Sequence, residues 1–185
     1  HGLGIGLVAL ILAVPGYMYY QQQQSKQANE MLGKILPTYE QGRYEQALNG
    51  TGQRAGLLSI ADDYGGTSAG NLAAFYTANA LYEQGEYDRA LTYYQQFEKA
   101  NDFFGASAYA AEASIYESRG EYETAASRYE QAAAQYQNKL TAPGHLLEAG
   151  QAYEEAGNLA AAEEAYQKVL DTYPDADEVQ TVERY

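Results

Sequence analysis

GEYDRALTYYQQF at residues 85–97, GEYETAASRYEQA at 120–132 and GNLAAAEEAYQKV at 157–169 decide the fold of this chain. Each stretch opens on Gly, carries an aromatic residue or Leu two positions on, Ala five positions on and Tyr nine positions on. Gly85, Gly120 and Gly157 lie 35 and 37 residues apart. The pattern has a mechanical reading. Gly adopts the left-handed conformation that ends a helix at little cost. The small Ala lets two helices approach, and the Tyr after it fills the space between neighbours. Upstream of each Gly the sequence predicts a first helix, over Ala74–Glu83, Tyr109–Ser118 and Leu146–Ala156. Small or apolar residues recur there at helical spacing on one face: Ala74, Ala78 and Leu81; Tyr109, Ala113 and Tyr116; Leu146, Gly150 and Tyr153.

A self-similar helix–turn–helix unit of about 34 residues is the signature of a helical repeat array. These residues resemble the tetratricopeptide repeat (TPR) family over about residues 71–176, in units of about 71–104, 106–139 and 143–176. Thr141–Gly144 (TAPG) supplies a turn between the last two, and Pro174 stands where the family often has its closing proline. The family's first-helix Trp is absent, with Ala74, Tyr109 and Leu146 in its slot, and Gly150 alone keeps the family's small first-helix Gly. QGRYEQAL (41–48) repeats the same order of Gly, aromatic residue and Ala, but Asn49-Gly50-Thr51-Gly52 breaks the second helix. A new helix is expected over Ala55–Tyr64. Residues 26–66 therefore read as a degenerate N-terminal capping unit, since solenoid ends are often atypical. Residues 67–185 read as the solenoid, with an end helix over Asp175–Tyr185.

Residues 2–20, GLGIGLVALILAVPGYMYY, hold no charge, and none follows until Lys26. Nineteen helical residues at about 1.5 Å each give roughly 28 Å, close to the ~30 Å hydrocarbon core of a bilayer. Tyr17, Tyr19 and Tyr20 stand at the end where an interfacial aromatic belt is expected. Residues 1–25 are thus expected to be a transmembrane anchor, and the fold class is all-α: an N-terminal membrane helix followed by a TPR-type solenoid. The competing reading is a secretory signal peptide. It is less favoured because the segment nears spanning length and runs through Gln21–Gln24 into helix-compatible sequence.

The chain of 185 residues carries 20 Tyr, no Trp, no Cys and a formal charge of -14. So acidic a balance argues against nucleic acid and supplies no polybasic patch for anionic lipid. The lack of Cys excludes disulfides, thiol chemistry, Cys-ligated zinc and a lipidated Cys anchor. No catalytic constellation is visible, so no enzyme activity, cofactor or metal is expected. His145 follows Pro143-Gly144 and reads as an exposed imidazole. Asp62-Asp63 and Glu154-Glu155 are sequence neighbours that point apart on a helix and read as solvated faces.

In the TPR family the inner groove is lined by the first helix of each pair. Carried over by position, that resemblance implies a protein-binding groove of Leu72, Phe75, Asn79 and Tyr82; Ser107, Ala110, Ser114 and Glu117; and Leu147, Gln151 and Glu154. The competing reading is that Leu72, Phe75 and Leu147 are simply packing residues. One TPR subclass grips a C-terminal carboxylate with Lys, Arg and Asn. Asn79 matches one such position, but no Lys or Arg accompanies it, which excludes that function. Taken together, the anchor, QALNG (46–50), GLLSIADDYGGTSAGNLAAFYTANALYEQGEYDRAL (56–91) and the final Ala165, Tyr173 and Pro174 also resemble the YfgM-like ancillary subunits of the Sec translocon. That resemblance implies a single-pass protein of the inner membrane with its TPR domain on the periplasmic side. There it would be chaperone-like or scaffolding towards secreted chains, with translocon subunits as neighbours. The alternative is a structural accessory subunit of a larger membrane complex.

Overall fold

In the computed structural model the backbone is described for residues 2–184 and the side chains for residues 14–184. Among these residues the regular structure is helical, save one isolated bridge between Thr51 and Arg54. The chain divides into two compact units, His1–Gln96 and Phe97–Tyr185.

The first unit holds α1 (Gly2–Glu40), α2 (Tyr44–Asn49), α3 (Leu57–Tyr64), α4 (Ser68–Glu83) and α5 (Tyr87–Gln96). α1 runs without a break through Pro15 and across residue 25, where the expected anchor meets the expected capping unit. Its later turns bury Ala28, Leu32, Ile35 and Thr38, a face that recurs every three or four residues and packs on α2, α3 and α4. Each large apolar side chain buried this way contributes about 1.5–3 kcal/mol. Among the described residues no helix is long and apolar enough to cross a membrane. Residues 2–13 of the expected anchor lie outside the residues whose side chains are described.

The second unit holds α6 (Phe103–Ser118), α7 (Tyr122–Gln135), α8 (Ala142–Glu155), α9 (Leu159–Thr172) and the four-residue α10 (Val179–Val182). One core cluster joins Ala113, Ala125, Ala126, Tyr129, Ala149, Ala152 and Ala165. Another gathers Leu146, Tyr166 and Val169, and takes in Val182 from α10. The expected end helix is therefore much shorter than Asp175–Tyr185. Tyr173, ahead of Pro174, has φ -130 and ψ 54, as the residue before a proline is pushed out of the helical region. The chain then turns before α10 begins.

One local device recurs in both units. Gly42, Gly85, Gly120 and Gly157 have φ of 70, 76, 73 and 77. Each sits just past a first helix and closes it with the same pair of bonds. Gly85 N donates to Tyr82 O at 2.9 Å while Glu86 N reaches back to Leu81 O at 2.9 Å. The matching pairs are Gly42 to Tyr39 with Arg43 to Thr38, Gly120 to Glu117 with Glu121 to Tyr116, and Gly157 to Glu154 with Asn158 to Tyr153. This satisfies two otherwise orphaned carbonyls at each helix end. The Ala five residues later is fully or nearly fully buried every time: Ala47 0%, Ala90 0%, Ala125 0% and Ala162 2%. The end of α1 thus has the cap of a repeat's first helix. Its partner α2 stops at Asn49, where Gly50 turns the chain with φ 81, just short of the position that holds Tyr elsewhere.

The first helices start earlier than the sequence pattern places them. α4 opens at Ser68 because the Thr67 hydroxyl accepts from Gly70 N at 3.0 Å. α6 opens at Phe103 because Asp102 Oδ1 accepts from Gly105 N at 2.9 Å. Such N-caps satisfy a donor that the helix cannot.

Candidate functional site

The expected groove residues fall on α4 in the first unit and on α6 and α8 in the second. On α4, Leu72 and Tyr82 are half-buried, and the Tyr82 ring meets Tyr87 edge-on at 5.2 Å. Phe75 departs from the expectation. It is only 6% exposed, its ring 5.8 Å from that of Tyr76 and 6.3 Å from that of Tyr94. A first helix packed on both sides by α1, α3 and α5 draws such a ring into the core, so Phe75 offers little surface to a ligand. Asn79 Oδ1 accepts from the Tyr94 hydroxyl at 2.5 Å. Burial pushes the nearby Tyr39 hydroxyl above the ordinary tyrosine range, with a hydrogen bond to Asn79 pulling against it. Asn79 is an internal polar link among tyrosines, accepting from Tyr94 and stabilising the Tyr39 oxygen.

On α6, Ser107, Ala110 and Ser114 are half-buried and Glu117 is exposed. On α8, Leu147, Gln151 and Glu154 are half-buried, and Leu147 leans on the cluster around Leu146. Glu117 Oε2 accepts from the Tyr129 hydroxyl at 3.0 Å. Glu154 Oε2 accepts from the Tyr166 hydroxyl, also at 3.0 Å. Asn79, Glu117 and Glu154 of the expected set thus double as acceptors for the Tyr nine residues past each Gly. The acceptor position itself moves: Asn79 lies six residues before its Gly, Glu117 and Glu154 three before theirs. An ionised carboxylate retains further lone-pair sites after accepting one bond, so Glu117 and Glu154 remain able to meet a donor from outside.

Two charged clusters in the second unit escape the repeat pattern. Glu112 on α6 is 1% exposed. Lys99 Nζ lies 2.8 Å from its Oε1 as an ion pair without an aligned hydrogen bond, and Arg128 Nε lies 3.2 Å from its Oε2. Both cations also face the Tyr109 ring, at 4.9 and 5.8 Å from its centroid. The signal was a lone acid inside the otherwise uncharged run ASAYAAEASIY, legible as a buried charge in need of partners. The second cluster centres on Glu130. Lys168 Nζ is 2.8 Å from its Oε1 and the Tyr153 hydroxyl donates to its Oε2 at 3.0 Å. Burial first, then the bond to Glu130 and its charge, push the Tyr153 phenol up to about 12. The hydrogen bond to Glu130 raises Lys168 as well, so the ammonium is held in its charged form.

His145 is less open than expected: its side chain is 19% exposed, with Nδ1 3.2 Å from Glu148 Oε2. Asp62 is an acceptor for the Tyr93 hydroxyl at 3.1 Å, and Glu154 serves Tyr166, so neither adjacent acid pair forms a dyad. Among the described residues no group of three or more His, Cys, Asp or Glu could hold a metal ion.

The tetratricopeptide repeat family profile matches residues 60–103, 75–139 and 110–177. The chain belongs to the tetratricopeptide repeat family. Its all-helical fold is that of a TPR solenoid built from helix pairs. A similar solved structure is the N-terminal domain of stress-induced protein-1 (STI-1) from C. elegans, at 19% identity and a TM-score of 0.52, covering 62% of this chain and 92% of that one. That likeness concerns the fold. No curated protein matches the chain. Within this TPR protein the retained small residue Gly150 has a clear cause: a Cβ there would run into the ring of Tyr166.

Proposed function

We propose that this TPR protein is a membrane-anchored, non-enzymatic binding module of the cell envelope, working beside the Sec translocon as a chaperone-like or scaffolding partner of secreted chains. The observation that carries the binding role is the repeated helix pair itself, with first-helix positions left partly open: Leu72 and Tyr82 on α4; Ser107, Ser114 and Glu117 on α6; Leu147, Gln151 and Glu154 on α8. TPR domains form extended surfaces of this kind for polypeptide ligands. The mixture of apolar, small and acidic groups suits an extended chain of mixed or basic character. The anchoring and the envelope location rest on the uncharged residues 2–20 and on the resemblance to YfgM-like subunits. The exposed Tyr17, Tyr19 and Tyr20 add support, since each is 58–65% exposed on successive sides of α1, as residues at a lipid headgroup boundary would be.

The test is photo-crosslinking in intact membranes. A photoreactive residue goes at Leu72 in one variant and at Leu147 in another, both half-buried. Adducts to translocon subunits together with many secreted chains are the expected result. A single stoichiometric partner outside the translocon refutes that reading and favours a structural accessory subunit of a larger complex. Recovery of the chain in the soluble fraction after alkaline extraction refutes the anchor.

A further inference from the structure

A cleft of about 600 Å³ opens in the second unit between α7 and α9, with Leu146 of α8 in its lining. Ala133, Ala134 and Leu146 form its apolar part, Tyr173 closes one end, and Glu130 and Lys168 stand at its polar edge. None of the expected groove residues lines it. Its size falls within the ~300–1,000 Å³ of ordinary ligand pockets. A separate recess of about 50 Å³ beside Pro174 shares Tyr173 with it.

The charge around it is lopsided. The second unit carries 17 Asp and Glu against 6 Lys and Arg, so it holds -11 of the chain's -14. Two of the cations near the cleft are already engaged, while Lys139, beside the recess at Pro174, is exposed. Lys168 sits 2.8 Å from Glu130 and 3.3 Å from Glu164, and Arg128 is paired with Glu112. Glu163 and Asp171 on α9 remain exposed. A second copy of so acidic a chain is repelled, and an acidic peptide likewise. The Glu130–Lys168 bond ties α7 to α9 across the cleft, and Tyr153 fixes Glu130 from α8. The pair thus links the two walls at the polar edge of the cleft.

We infer that this cleft is a second docking site, separate from the first-helix face, which takes a basic polypeptide segment by one large apolar side chain. The side chain enters between Ala134 and Leu146, and Lys or Arg residues flanking it face the exposed Asp171 of α9 and the acidic surface of the unit.

The test uses the full chain and three short fluorescent peptides in anisotropy titrations. The first alternates Lys and Ser around a central Phe-Leu. The second replaces Phe-Leu with Ser-Ser, and the third replaces every Lys with Glu. The first peptide should bind at least about tenfold more tightly than the second, the gain expected from one buried apolar side chain, and its affinity should fall as salt screens the charge. The third should not bind measurably. Ala134→Trp fills the cleft from an exposed position and should bring the first peptide down to the level of the second. Ser127→Lys, at another exposed lining position, should weaken the basic peptide without filling anything. Leu147→Ser, on the first-helix face, should leave its affinity within about twofold. Equal binding of the first and second peptides overturns the proposal, since charge alone then explains both. So does unchanged binding in Ala134→Trp and Ser127→Lys. Loss in Leu147→Ser with retention in Ala134→Trp also overturns it, and leaves the first-helix face as the binding surface.

Discussion

Replacing Glu112 with Gln should be among the most destabilising single changes in the second unit. The carboxylate is 1% exposed, and its two cations are Lys99, with 10% of its side chain exposed, and Arg128, with 29%. Gln keeps the shape and loses the charge, so both cations lose the carboxylate they share. Breaking a buried pair from one side costs about 3–5 kcal/mol, because the remaining charge stays desolvated. Arg128 can relax towards water and Lys99 cannot, which places the expected cost near the lower end, at about 3 kcal/mol. Arg128→Ala should cost less, about 1–2 kcal/mol, since Lys99 still neutralises the acid and the guanidinium is partly solvated. The double change Glu112→Leu with Lys99→Met should recover most of the loss, because an apolar pair of similar volume avoids desolvation altogether. Urea unfolding followed by circular dichroism, with the loss read from the midpoint shift at constant slope, gives all three values. A cost below about 1 kcal/mol for Glu112→Gln, or a double variant no better than the single one, refutes the assignment of a buried, mutually dependent triad.

Gly150→Ala should cost about 1–3 kcal/mol by overpacking, because the new methyl meets the Tyr166 ring; a thermal melt of the variant checks it. Asp102→Ala removes the acceptor for Gly105 N and should cost about 1 kcal/mol, with hydrogen exchange rising at the first turn of α6. Stability should also fall at high pH. Tyr153 is raised in the folded chain from 10.0 to about 12, so its contribution is fully present below pH 10 and is lost as pH rises towards about 12. Tyr153→Phe should flatten that part of the stability profile, and an absorbance titration should show one fewer late-ionising phenol.

Gly85, Gly120 and Gly157 were legible because the left-handed cap that ends a helix tolerates few other residues, and the buried Ala and Tyr after them follow from close helix contact. The same logic reached Gly42 and Ala47, where three of the four features survive. What was less legible depends on partners far apart in sequence. Nothing near Phe75 says that α1 and α5 both pack against its helix, so a groove position and a core position look alike. Asn79, Glu117 and Glu154 stand on the expected face, yet their Tyr partners lie 12 or 15 residues further on, and the repeat does not keep the acceptor in one register. The early starts of α4 and α6 were missed because their signals, Thr67 and Asp102, precede the repeated pattern. The cleft between α7 and α9 has no sequence signature, since it is a gap left where Ala133 and Ala134 are small.

These bonds also give the composition a cause. Twenty Tyr without Trp and an acidic excess stand side by side in the composition. In the folded chain they meet repeatedly: Tyr93 with Asp62, Tyr129 with Glu117, Tyr153 with Glu130 and Tyr166 with Glu154. A Tyr ring can fill the space between paired helices only if its hydroxyl finds an acceptor at the edge of the core, and a carboxylate is the strongest acceptor available there. It follows that a share of the acidity is structural. Neutralising the exposed Glu163 and Glu164 should leave stability nearly unchanged. Changing Glu117 and Glu154 to Ala removes a charged acceptor from Tyr129 and Tyr166 and should cost about 1 kcal/mol each, whereas Gln at the same positions, which still accepts, should cost distinctly less.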